Sequence, residues 1–276
     1  MSLVITILII VVLIILIVIY IKINEEKDED IYHKIDKWNN RITHIRDYQN
    51  MTYDRNLPYS MQDASTCNLV SAVKLDKLIR TNHDNILTEV NTLINKGYTG
   101  FPMKDIDSIQ KQIFKNQTGW CPIWVKFIGK EAGTAKHLPT LTNIVRSMGD
   151  EILLLHISIF WPPTDLPSHV GISKGVYRYH YGLSIPDNDS NGTTGMIINN
   201  TNFKWTQGKG VIWDDTLQHS SWNKTSKPRM VIFADLQRRL PLSLHRDNIE
   251  IYRLIQQSKN VKSIQKKLAL EGKHID

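Results

Sequence analysis

Cysteine is almost missing from this chain. Its 276 residues hold two, Cys67 and Cys121, too few for a disulfide framework and enough for one bridge at most. No CxxC pair and no Cys/His ligand spacing occurs, which excludes a structural zinc site. Internal repeats are lacking, as are low-complexity tracts beyond the first two dozen residues. The formal charge of +7 is spread along the chain apart from a basic C-terminal segment, with no basic stripe interleaved with aromatics. Nucleic acid is therefore not an expected partner, and acidic surfaces such as anionic lipid are a better match. Apolar and aromatic residues make up 41% of the chain, enough for the core of one domain of ordinary size.

One long hydrophobic run is present. Residues 3–21 are almost purely Ile, Leu and Val, interrupted by Thr6 and Tyr20. About 20 such residues at 1.5 Å rise cross the roughly 30 Å hydrocarbon layer of a bilayer. The run exceeds the ~7–15 apolar residues of a cleaved signal peptide and lacks its basic start and small-residue cleavage site. The expectation is a single-pass membrane protein with a signal-anchor helix over residues 1–23 and a polar stalk over 24–63. Orientation stays open. Lys22, Lys27, Lys34, Lys37 and Arg41 all lie downstream of the run, which favours a cytosolic domain. Asn-x-Ser/Thr acceptors at Asn50, Asn116, Asn188, Asn191, Asn199 and Asn223 favour a lumenal one.

From Leu69 to Gly97 apolar residues recur at three- and four-residue steps, the helical period. Further helices are expected over 105–114 and 138–148, with a strand over 120–128. Short strands then follow closely at 152–160, 176–185, 195–200, 210–213, 219–222 and 229–236, separated by Gly, Pro, Asn and Asp turns. Short strands with few intervening helices indicate a mainly β jelly roll or barrel rather than alternating βαβ units. The expected organisation is one domain over 64–244, with a helical layer at 64–150 and a β-barrel core at 151–240. A basic amphipathic helix in 245–276 would pack on it.

The residues with chemistry lie in the barrel segment. His169 and His219 are fifty positions apart, and Arg229 follows ten after the second. Neutral imidazole suits iron, and non-haem iron oxygenases keep positions open for oxygen and a co-substrate. With ten histidines in the chain, two on strands are ordinarily surface or core residues. Arg178, His180 and Arg229 on the same short strands alter that balance, because a dicarboxylate in a dry pocket needs cations.

A longer pattern joins them. Ser158 stands eleven positions before His169-Val170-Gly171, and Arg178-Tyr179-His180 and Leu183-Ser184-Ile185-Pro186 follow. Then come Trp205, Gly208-Lys209, Trp213-Asp214-Asp215 before His219, Trp222, and Arg229-Met230-Val231-Ile232-Phe233. In these residues the chain resembles the aspartyl/asparaginyl β-hydroxylase family, a branch of the 2-oxoglutarate/Fe(II) oxygenases. Residues 118–127 (TGWCPIWVKF) and the anchored layout also look like the bacterial lipid A hydroxylases of that superfamily. The resemblance implies a double-stranded β-helix (jelly roll, cupin-like) with flanking helices, using Fe(II), 2-oxoglutarate as co-substrate, and O2. It implies His169 and His219 as metal ligands, and Arg229 with Ser158 for the distal carboxylate of 2-oxoglutarate. His180 and Arg178 would line the space near the metal, against the co-substrate or an acidic substrate.

Most 2-oxoglutarate oxygenases carry a carboxylate two residues after the first histidine, where this chain has Gly171, a feature the resemblance associates with the peptide hydroxylases. Those enzymes tend to have a second arginine two residues before Arg178, where this chain has Val176. The implied substrate is an Asp or Asn side chain in a protein or peptide. The alternatives are a lipid acyl chain under the same chemistry, or a non-catalytic barrel that only binds. Asp214 and Asp215 stay open between turn residues and an acceptor for metal-bound water.

Overall fold

The computed structural model describes residues 13–16, 31, 33–41, 61–67, 69–106, 111, 119–186, 193–238, 240 and 242–275. The chain is mainly β, with two antiparallel sheets flanked by helices. The larger sheet has seven strands: β1 (Gln62–Asp63), β2 (Ile123–Phe127), β3 (Lys130–Glu131), β4 (Ile152–Phe160), β6 (Val176–Ser184), β9 (Gly210–Trp213) and β11 (Arg229–Gln237). Their spatial order is β1-β9-β6-β11-β4-β2-β3. The smaller sheet holds β5 (Thr164–His169), β7 (Thr194–Ile198), β8 (Thr201–Phe203) and β10 (His219–Asn223), in the order β5-β10-β7-β8.

Strand periodicity of two sorts the central residues of the larger sheet onto opposite faces. Leu155, Ile157 and Ile159 of β4, Tyr177, Tyr179 and Tyr181 of β6, and Ile232 and Ala234 of β11 share one hydrophobic cluster. That face packs on α2 (Val70–Thr81), α3 (His83–Asn95) and α4 (Pro139–Met148), which contribute Leu75, Ile79, Ile86, Val90, Leu141 and Val145 to the same cluster. The alternate residues, His156 and Ser158, Arg178 and His180, Arg229 and Phe233, form the other face. Four of these six, His156, Ser158, His180 and Arg229, are less than 9% exposed, and Arg178 and Phe233 are partly buried, so this face is interior.

Four strands were not expected from the sequence pattern: the two-residue β1 and β3, and β5 and β8. In β5, Thr-Asp-Leu-Pro-Ser-His has Thr164 as its one β-branched residue and Leu166 as its one large aliphatic, and it carries Pro167. Proline has no N–H for a ladder and is accommodated on an edge, and β5 is the edge of its sheet. Strand β8 pairs with β7 through Asn199-Asn200, both at positive φ (44° and 62°), the backbone that a two-residue hairpin turn requires and Asn tolerates.

The terminal segments also differ from expectation. Within the stretch read as a stalk, residues 33–41 form a helix, α1, that buries Ile35 and Trp38 in a second cluster. Ile31, Ile35 and Trp38 have helical spacing, but the surrounding charges mask it. The C-terminal helix is two: α5 (Leu242–Gln257) and α6 (Lys259–Leu270). Ser258 interrupts them in an extended conformation and caps α6, its side chain accepting from the Val261 N–H. Both helices dock on the β2–β3 turn, where the Ile128 carbonyl accepts from the Gln256 and Gln265 side chains. The helix expected over 105–114 lies largely outside the described residues.

The expected single-pass membrane localisation is corrected by the structure. Among the described residues, no helix is long and apolar enough to cross a membrane. Of the run in 1–23, only residues 13–16 are described, as helix. Four residues rise about 6 Å against the roughly 30 Å of a bilayer core. The rest of that run lies outside the described residues.

The core on the helical side sets stability. Replacing Ile157, fully buried at the centre of that face, by Ala is expected to cost about 2–5 kcal/mol. Urea titration would show this as a lowered midpoint at unchanged slope.

Candidate active site

The site lies between the two sheets. His169 at the end of β5 and His219 at the start of β10 are cross-strand partners, so ladder pairing alone brings residues fifty positions apart side by side. Their ring centroids are 4.1 Å apart. His169 Nδ1 lies 2.8 Å from the Pro167 carbonyl and His219 Nδ1 lies 2.7 Å from that of Leu217. A carbonyl only accepts, so each Nδ1 carries the proton and each Nε2 is the basic nitrogen. Burial pushes both rings below the ordinary histidine pKa, His219 to about 3. Two neutral imidazoles with matching tautomers form a set of metal donors. Among the described residues no group of three or more His, Cys, Asp or Glu side chains is placed to hold a metal; a metal held here would have the two imidazoles as its donors.

The loops carrying the pair are tied together. The Gly171 N–H donates to the Asp215 carbonyl at 2.8 Å. A Cβ on residue 171 would stand 1.8 Å from Asp215 Oδ2, so glycine is the residue that fits, and the Asp215 carboxylate occupies the space a longer side chain would need. The two adjacent aspartates divide. Asp214 accepts from the Thr216 N–H and hydroxyl and closes the turn. Asp215 Oδ1 faces His219 Nε2 at 3.5 Å.

Arg178 is held from two sides. Its Nη1 donates to Asp215 Oδ1 at 2.7 Å and its Nε to Asp235 Oδ1 at 2.6 Å, and its guanidinium lies 3.9 Å from the centre of the Phe233 ring. Burial pushes both carboxyl groups above the usual carboxylate range, and Arg178 opposes the shift. The triad carries two potential negative charges against one positive beside the imidazole pair, a field that favours a divalent cation.

Deeper between the sheets, Arg229 is 2% exposed and packed between the rings of Phe160 and Trp205, at 3.6 and 4.2 Å. Its Nε has no protein hydrogen-bond partner, and burial pushes its pKa down to about 9. A desolvated cation without a carboxylate is costly, and its ligand chemistry is that of an anion. Ser158 lies on the neighbouring strand, its Oγ accepting from Trp120 Nε1 at 3.1 Å. His180, between Trp213 and Phe233, has neither ring nitrogen hydrogen-bonded among the described residues. The residues present thus fit a metal ion with a small dicarboxylate.

Beside His169 opens a cavity of about 340 Å³, walled by Ile35, Trp124, Phe233, Ile255 and Ile264 among others, near the lower end of the ~300–1,000 Å³ typical of small-molecule sites. A wider groove of about 850 Å³ between β4, β11 and α5 touches neither histidine of the pair.

The sequence-derived residues Ser158, Arg178, His180 and Arg229 share the inner face of the larger sheet, and His169 and His219 face them from the smaller one. His156 and Asp235 were missed. Each lies two or six positions from a recognised residue on its own strand, so counting in steps of two from Ser158 and Arg229 would have found them. The cavity walls from α1, α5 and α6 have no motif.

The sequence model described as aspartyl/asparaginyl beta-hydroxylase matches residues 80–239. Over 78 residues the chain is 41% identical to an ornithine lipid ester-linked acyl 2-hydroxylase of Rhizobium tropici, covering 28% of this chain and 27% of that protein. Over 104 residues it is 29% identical to the aspartyl/asparaginyl beta-hydroxylase of Mus musculus, covering 38% of this chain and 14% of that one. The matches therefore span well under half of those relatives' length. Among solved structures, a Pseudomonas putida prolyl-4-hydroxylase aligns at 11% identity with a TM-score of 0.39, covering 67% of this chain and 95% of that one.

The buried imidazoles make metal-free stability pH-dependent. Burial holds His156 and His180 well below the ordinary 6.5, so below that pH the unfolded chain takes up protons that the folded chain refuses. Their stabilising contribution is intact above pH 6.5 and is lost as pH falls, at about 1.4 kcal/mol per pH unit for each ring. Asp215 and Asp235, shifted upward, act in the opposite sense, so the comparison of variants is the measurement. Urea midpoints from pH 7 to 5 should fall less steeply in a His156→Phe/His180→Phe protein; equal slopes would mean the rings are protonated in the fold.

Proposed function

Because the chain belongs to the aspartyl/asparaginyl beta-hydroxylase family, we propose that it is an Fe(II)- and 2-oxoglutarate-dependent oxygenase that hydroxylates an unactivated C–H bond of an acyl chain. Its scaffold in this reading is a double-stranded β-helix, with the oxygenase domain over 64–244. The observation that carries the reading is the juxtaposition of two neutral, tautomer-matched imidazoles with a buried cation that lacks a carboxylate. His169 and His219 would hold the iron through Nε2. Arg229, with Ser158, would bind the distal carboxylate of 2-oxoglutarate, and His180 would border the co-substrate. Bound iron with 2-oxoglutarate and O2 supplies the oxidation: one oxygen atom enters the substrate C–H bond as hydroxyl, the other enters succinate, and CO2 leaves.

The chain's own contribution is placement and dryness. Asp215 fills the space beside Gly171 and would accept a hydrogen bond from water at the metal, in place of a carboxylate ligand from residue 171. Arg178 and Asp235 hold that carboxylate in position. Phe160, Trp205 and Phe233 keep the arginines desolvated, which strengthens their grip on an anion.

For the substrate, the apolar cavity beside His169 and the similarity to an acyl 2-hydroxylase support a hydrocarbon chain. The second reading, an Asp or Asn side chain, is favoured by Gly171 and by the family description. It has less support from the electrostatics, since Arg178, the cation nearest the pair, is committed to Asp215 and Asp235.

Purified protein given Fe(II), ascorbate and 2-oxoglutarate is expected to release succinate, and His219→Ala to abolish this; succinate persisting in that variant defeats the assignment. Arg229→Ala should raise the KM for 2-oxoglutarate at least roughly thirtyfold, the lower end of the about 2–5 kcal/mol lost when one partner of a buried charge pair is truncated. Incubation with acyl lipids and with Asp- or Asn-containing peptides, followed by mass spectrometry for one added oxygen, separates the substrate readings.

A further inference from the structure

His156 is fully buried on the inner face of β4, and among the described residues neither ring nitrogen makes a well-formed hydrogen bond, the Ile157 backbone giving the ring a weak polar contact. Its ring is nonetheless firmly placed, stacked on Phe233 with centroids 4.3 Å apart and leaning on Trp124 at 4.4 Å. The indole Nε1 of Trp124 is likewise without a protein partner. Both rings line the cavity beside His169. Contacts lead without a break from His156 through Phe233 to Arg178, then to Asp215 and His219.

The rest of the cavity offers little that is both polar and unused. Arg178 is bound by Asp215 and Asp235, Ser173 accepts from Tyr252 and from the Gly175 N–H, and Ser258 caps α6. Ile35 of α1, Ile255 of α5, and Val261 and Ile264 of α6 supply apolar wall. These four lie outside the family-matched residues 80–239. Buried polar groups in native proteins are normally paired, and a phenylalanine would fill the same stack without the penalty of an unpaired imidazole. An imidazole in this place has a physical rationale when a ligand brings the partner.

We propose that His156 is a substrate-binding residue, donating an N–H hydrogen bond to the carbonyl oxygen of an acyl substrate whose hydrocarbon tail lies along the wall made by the terminal helices. This rests on the acyl-chain reading above. Held neutral by burial, the ring has one donor and one acceptor nitrogen, which suits an ester or amide oxygen better than a carboxylate. A single polar anchor at one end of an apolar chamber fixes which carbon of a featureless chain sits beside the metal pair.

The test compares an ester-linked acyl lipid with its ether analogue, which lacks the carbonyl oxygen, both dispersed in detergent micelles. Binding to the full-length, metal-free protein is measured by calorimetry, and coupling is measured as hydroxylated lipid formed per succinate with Fe(II) and 2-oxoglutarate. The unaltered protein should bind the ester about tenfold or more tightly than the ether. His156→Phe should bring that ratio close to one and lower the coupling, while His156→Gln, which keeps an N–H donor, restores part of both. Co(II) affinity and the unfolding midpoint of the Phe variant should not fall, since neither the histidine pair nor the stack is lost. A Phe variant that keeps the ester preference and the coupling overturns the role of His156, whatever the oxygenase assay shows. Ester preference in binding with no succinate from the unaltered protein sinks the oxygenase reading instead, and leaves His156 a lipid-binding residue.

Discussion

Everything in this structure depends on the alternation of three central strands. In β4, β6 and β11 every second side chain is apolar and packs on helices. The residues between them are His156, Ser158, Arg178, His180, Arg229 and Asp235, all placed between the sheets. A polar face is ordinarily turned to water in a two-layer antiparallel protein. Here the smaller sheet, the aromatic rings and the terminal helices cover it, so each imidazole, guanidinium and carboxylate is desolvated. The sheet pairs an apolar face that stabilises with a polar face that carries the candidate site, and no residue of either can slip register without exchanging the two.

That arrangement explains how the polar groups are partitioned. Some are satisfied within the protein: Arg178 by Asp215 and Asp235, the paired imidazoles of His169 and His219 by backbone carbonyls at Nδ1. Others, Arg229, His180 and His156, carry buried nitrogens that make no well-formed hydrogen bond among the described residues. The first group is scaffold for the second. Asp235 orients Arg178, Arg178 orients Asp215, and Asp215 stands where residue 171 has no side chain, beside His219. Gly171, two residues after His169, is thus tied to a local steric fact, because Asp215 leaves room for nothing larger.

The family-matched stretch ends at residue 239, while part of the cavity beside the histidine pair is closed by helices beyond it on both sides. Ile35 comes from a segment that composition alone marks as a polar linker. Walls drawn from outside the shared region are where relatives acting on different substrates would be expected to diverge, since the proposed metal and dicarboxylate contacts lie inside it.

Much of this was legible before any coordinates. Strands over 152–160, 210–213 and 229–236 follow from hydrophobic patterning and turn residues; order and spacing single out His169, His219 and Arg229, and the family resemblance adds Ser158. Strand β5 was not legible, because a proline-bearing edge strand has neither the alternation nor the propensity that local reasoning uses. Helix α1 was masked by its own charges, and the break at Ser258 is a capping event inside a continuous amphipathic pattern. The expectation that the chain crosses a membrane came from composition of residues 1–23, and no described helix supports it. The sequence by itself determined which residue types alternate along each strand, since that is local and periodic. Only the tertiary structure decided that the polar alternates face inward, which carboxylates claim Arg178, and which nitrogens are left for a ligand, because those outcomes depend on what a distant part of the chain lays over them.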